Sequence, residues 1–91
     1  MRVRFIAVHL VGGSRHEHIQ SLKAVNPATG QQYDDSRAAW VSYIERGNSG
    51  YVHDPYGNEV EVYVNSNGWT KWVQTYADGI WTDNLLALPQ Y

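Results

Sequence analysis

The sequence predicts an α+β fold: a small antiparallel β-sheet of about five strands with one α-helix packed on one face, in the order ββαβββ. Three observations carry this. Val3 to Val11 is almost continuously apolar and rich in β-branched residues. One stretch, around Trp40, has helical spacing behind a capping sequence. The second half is a series of short alternating segments broken by Asn, Asp, Gly and Pro.

Size and charge bound the rest. At 91 residues the chain is expected to form a single domain, 1–91, with no linker, repeat or low-complexity tract. A chain of this length buries roughly 60–65% of its unfolded surface, enough for one core. Four Trp and seven Tyr are many for that core to cover, so some rings are expected at the surface. Seven basic against nine acidic residues argue against duplex nucleic acid, which needs a basic surface. The absence of cysteine removes disulfides, thiolate zinc sites and cysteine nucleophiles. Phe5 to Val11 is too short for a signal peptide, and no run approaches a membrane span, so a cytoplasmic protein is expected.

Taken in order, Val3–Val11 reads as a central strand buried on both faces and ended by Gly12-Gly13-Ser14. His16–Asn26 has Ile19, Leu22 and Val25 at helical spacing, but the short connection favours a hairpin strand, closed by the turn Asn26–Gly30. Asp34-Asp35-Ser36 starts a helix whose buried stripe is Trp40, Val41, Tyr43 and Ile44, with Gly47 just past its end. Tyr51–His53 and Glu59–Val64 flank the turn Asp54–Asn58. In the second of these strands Val60, Val62 and Val64 point inward, and Glu59, Glu61 and Tyr63 outward. Asn65–Gly68 leads into a strand Trp69–Tyr76, which Asp78-Gly79 reverses into Ile80–Thr82.

Three blocks carry a resemblance: Gly12-Gly13-Ser14-Arg15-His16-Glu17-His18-Ile19, then Asn26-Pro27-Ala28-Thr29-Gly30, then Tyr76 through Pro89. Together they resemble a family of small bacterial and phage proteins, domain of unknown function 3892, nearly end to end. The resemblance implies a stand-alone cytoplasmic domain from bacteria, phages or mobile elements, with no assigned activity and no agreed site residues. An inhibitor or host-interaction role is one instance it suggests.

Candidate chemistry begins with the histidines. If residues 12–15 form a four-residue loop, Val11 faces His16 and His9 faces His18, which puts His9, His16 and His18 on one face. Three imidazoles there could hold a divalent metal, the one cofactor the pattern admits. The competing structural reading is exposed loop-edge residues around a hydrogen-bonded His9, and no carboxylate that would orient the imidazoles is identifiable. Gly12-Gly13-Ser14-Arg15 could form an anion nest at Arg15, but it lacks the further glycines, Lys or Thr, and following helix of nucleotide fingerprints. Glu17, Asp54, Asp78 and Asp83 are available as acids or bases, and a small hydrolase is an alternative. Each also has a turn or capping role, and no serine has motif context, so the chain reads as non-enzymatic.

The aromatics point further. A two-residue turn at Asp78-Gly79 sets Tyr76 opposite Trp81 and Thr75 opposite Thr82. Trp69 and Trp72, three apart, lie on opposite faces of their strand, so one of them joins Tyr63 on the face without the helix. The expected function is a binding module in which Trp69 or Trp72, Tyr63, Tyr76 and Trp81 meet a protein partner or a second copy in a homodimer. The alternative is a small anionic or aromatic ligand, nucleotide-like, stacked on these rings beside Arg15, with single-stranded nucleic acid a weaker case.

Overall fold

A computed structural model describes all residues, Met1–Tyr91. It contains one seven-stranded sheet and one α-helix. The strands are β1 Arg2–Leu10, β2 Ile19–Val25, β3 Gln32–Ser36, β4 Ser49–His53, β5 Glu59–Ser66, β6 Lys71–Ala77 and β7 Ile80–Thr82, with α1 Arg37–Glu45 between β3 and β4. The order across the sheet is β3-β2-β1-β4-β5-β6-β7. The α+β class with one helix stands. The sheet is larger than the five expected strands, and it is mostly rather than wholly antiparallel, because β1 and β4 run parallel through Arg2–Ser49, Val3–Gly50 and Arg4–Tyr51.

The segments read as strands above number six once the short Tyr51–His53 and Ile80–Thr82 are both counted, and the seventh, which no reading marked, is the polar segment Gln32–Ser36. It pairs with β2 from Val25–Gln32 to Ser21–Ser36, so Asp34 and Asp35 are strand residues rather than the first turn of the helix. Its composition hides it, since an edge strand exposes most of its side chains to water. Ser36 is the helix N-cap, and its Oγ accepts from the Ala39 N–H at 3.2 Å. Gly47, at φ 92°, follows the helix end in a conformation that glycine adopts without strain.

β1 is buried on one face, not both. Val3, Phe5 and Val8 are fully covered, while Arg2, Arg4, Ile6 and Ala7 are half-buried. A bulge between Phe5 and Ala7 shifts the alternation by one residue, which is why two odd-numbered positions and one even-numbered position share the inner face. On that face Phe5, Val8, Leu22, Val52, Val62, Val73 and Leu85 join Trp40, Val41 and Tyr43 of α1 in one core.

Aromatic edges organise this core. Trp40 meets Phe5 edge-on at 4.9 Å and Tyr43 at 5.2 Å, and its indole N–H donates to the Leu22 carbonyl at 2.9 Å. The Tyr43 hydroxyl lies between the carbonyls of Met1 and Ser49, at 2.9 and 2.8 Å, tying α1 to the start of the parallel pair. Gly50 is required on β4 because any Cβ there would stand 2.4 Å from the Phe5 ring. After β7 the chain turns through three successive backbone hydrogen bonds, from Leu86, Ala87 and Leu88 back to Asp83, Asn84 and Leu85, and this drops Leu85 into the core. No helix is long and apolar enough to cross a membrane.

Candidate functional site

Strand register decides which aromatics share the outer face. Tyr76 pairs with Trp81 and Thr75 with Thr82, the register expected of a tight Asp78-Gly79 turn with both residues at positive φ. On β5, Tyr63 pairs with Gln74, while Val62 and Val64 pair with Thr75 and Val73. Alternation then places Tyr63, Gln74, Tyr76 and Trp81 on the face opposite the core. The Tyr63 and Tyr76 rings lie 6.0 Å apart at 87°, and Tyr76 and Trp81 lie 5.0 Å apart at 70°. These residues stay open to solvent, Tyr63 by 47% and Tyr76 and Trp81 by 38% each. With Val64 they line a largely apolar, open hollow of about 590 Å³.

The remaining tryptophans do not join them. Trp72 shares this face but is buried, and its indole N–H donates to Gln74 Oε1 at 2.9 Å, which also accepts from Asn65 Nδ2 at 3.1 Å. Trp69 precedes β6 in the turn rather than lying in the strand, and it is 95% exposed. Its turn is held by Asn67 Oδ1, which accepts from the N–H groups of Trp69 and Thr70 at 2.9 and 2.8 Å. A shallow concavity joins Trp69 to Arg37, Val41 and Lys71, around α1 rather than on the open face. Arg15, at the start of the turn before β2, does not line the aromatic hollow.

The histidines are kept apart. His9 pairs with Ser21 and Leu10 with Ile19, while the Val11 N–H reaches the His18 carbonyl at 2.9 Å. The expected pairing of His9 with His18 and of Val11 with His16 is therefore corrected, because His16–His18 form a 3-10 turn outside the ladder. His9 Nδ1 meets the Tyr91 carbonyl, and His18 Nδ1 accepts from the Arg15 N–H at 3.2 Å. His16 is buried, its Nε2 has no hydrogen-bond partner, and its turn packs on β6. Burial holds the His16 imidazole below its ordinary value, opposed by the charges of Asp83 and Glu17. No three His, Asp or Glu side chains converge on a common point.

Charge on the open face is organised around Arg2, a residue that sequence reasoning did not single out. Arg2 bonds Glu61 at 2.5 and 3.0 Å and Glu59 at 2.9 Å, and its guanidinium lies 4.3 Å above the Tyr51 ring. The Glu61 hydrogen bond is the main cause raising the Arg2 pKa above its already high ordinary value. The constellation depends on β4 lying between β1 and β5, so no local signal announces it. The alternation of Glu59, Glu61 and Tyr63 was its only visible half.

A family model described as "Protein of unknown function (DUF3892)" matches residues 4–89. No curated protein and no solved structure matches the chain.

Proposed function

Because the chain belongs to the DUF3892 family, whose description names no activity, we propose from its own surface that it is a non-enzymatic binding module that meets a protein partner through Tyr63, Tyr76 and Trp81. The observation that carries this reading is the exposure of three adjacent rings on a sheet face that α1 leaves uncovered. The rings lean edge to face on one another and lose little further freedom on docking, which favours tyrosine and tryptophan as anchors.

Affinity purification with wild type and a Tyr63→Ser/Trp81→Ser variant, paired with light scattering, tests it. A partner, or a second copy, held by wild type and lost by the variant but retained by Trp69→Ser supports the reading. A monomer that retains no partner, or a partner indifferent to both serines, counts against it.

A further inference from the structure

Resting on the reading of the Tyr63–Tyr76–Trp81 face as the binding surface, we infer that the protein partner presents an arginine side chain to these rings. Aromatic faces carry a negative quadrupole, and although the edge-to-face contacts occupy one side of a ring, the three rings keep exposed surface on which a cation can sit. The same outer face already shows this use of tyrosine twice. Arg2 lies 4.3 Å over the Tyr51 ring, and Lys23 Nζ lies 4.5 Å over the Tyr91 ring. Tyr63, Tyr76 and Trp81 are exposed on that face with no cation of the chain's own over any of their rings.

The charge around the hollow has the matching sign. Between residues 59 and 83 the chain carries Glu59, Glu61, Asp78 and Asp83 against Lys71. Lys71 is bound to Glu45 of α1 at 2.8 Å, and Arg2 answers both Glu59 and Glu61 with a single charge. Asp78, in the turn between Tyr76 and Trp81, is exposed and joins no ion pair, whereas Asp83, just past β7, acts on the buried His16. The other cations on this face are farther off: Arg4 lies on β1 with β4 between it and β5, roughly 10 Å away across the sheet, and Lys23 lies one strand farther on β2, over Tyr91. Arginine fits better than lysine because its planar, weakly hydrated guanidinium stacks on a ring while its edge reaches a carboxylate.

The test follows the four indole N–H signals of the folded protein by NMR during titration. The probes are a blocked Gly-Gly-Arg-Gly-Gly peptide and its citrulline isostere, which keeps the shape and removes the charge. The arginine peptide is expected to move the Trp81 signal saturably, with citrulline weaker by about fivefold. Asp78→Asn should weaken the arginine peptide by about two- to threefold without disturbing the turn, since Asn accepts the positive φ of 54° found there. Equal binding of citrulline, no saturable shift at Trp81, or a parallel shift of Trp69 would each overturn the inference. If such a failure accompanies a protein partner still lost by Tyr63→Ser/Trp81→Ser, the binding-module reading survives and the arginine does not.

Discussion

The Tyr76 and Trp81 rings stand 5.0 Å apart across the tightest turn of the chain, directly paired on β6 and β7. That contact ties the face proposed for binding to the stability of the edge hairpin. Cross-strand aromatic pairs contribute about 0.2–1 kcal/mol relative to an Ala–Ala pair. Trp81→Ala should therefore lower the denaturant midpoint by an amount equivalent to about 1–2 kcal/mol, and Tyr63→Ala by about 1 kcal/mol or less. A double-mutant cycle on Tyr76 and Trp81 with no coupling energy would contradict the packing described.

Gly50 against Phe5 gives the sharpest stability prediction. An added methyl would sit 2.4 Å from a ring that is itself held by Trp40 and cannot swing away. Gly50→Ala should cost about 1–3 kcal/mol, as overpacking a filled core does. Gly57→Ala makes a useful comparison, since its site is open and the cost there is limited to a φ of 84°, about 1 kcal/mol. Chemical denaturation that ranks the two in the opposite order would show that the core yields at Phe5.

His16 sets a pH dependence whose sign follows from its burial. Its folded pKa lies below the ordinary value of 6.5, so between the two values the unfolded chain binds more protons. The stability tied to the neutral imidazole is fully present above pH 6.5 and declines as pH falls below it. His16→Gln should flatten the stability profile on the acid side of that value, as read by thermal unfolding. Unchanged acid sensitivity in the variant would assign the effect to carboxylates instead.

The Arg2–Glu61 pair should matter less than its geometry suggests. Its side chains are 38% and 39% exposed, so solvent and salt screen the charges. Arg2→Met should cost about 1 kcal/mol at low salt, and that difference should shrink in 0.5 M salt (about a 4 Å Debye length). A cost that does not change with salt would point to lost packing of the Arg2 stem over Tyr51.

Trp69→Ser, by contrast, should leave stability within about 0.5 kcal/mol of wild type, because the ring is almost wholly in water. A larger loss in thermal unfolding would place that ring against α1.

Local signals proved most legible where the relevant contacts are near in sequence. The Asp78-Gly79 turn, the Tyr76–Trp81 pairing, the inward valines of β5 and the Trp40 stripe of α1 all lie within a few residues of the signals that mark them. The same logic misplaced His16–His18, because a 3-10 turn and a bulged β1 displace the hairpin register that simple counting assumes. It also passed over β3, whose side chains are too polar to mark an edge strand.

The α+β class, the single helix, the closing aromatic hairpin and the family were all legible in the order of residues alone, since turn chemistry and hydrophobic period act over short range. The tertiary structure decided that β1 and β4 run parallel, that Arg2 meets Glu59 and Glu61, that Trp72 is covered and Trp69 bare, and that the histidines stay apart. Those outcomes depend on which strands become neighbours and on where a bulge resets alternation. Both are settled by closing the core around Phe5 and Trp40, a contact spanning thirty-five positions that no local window contains.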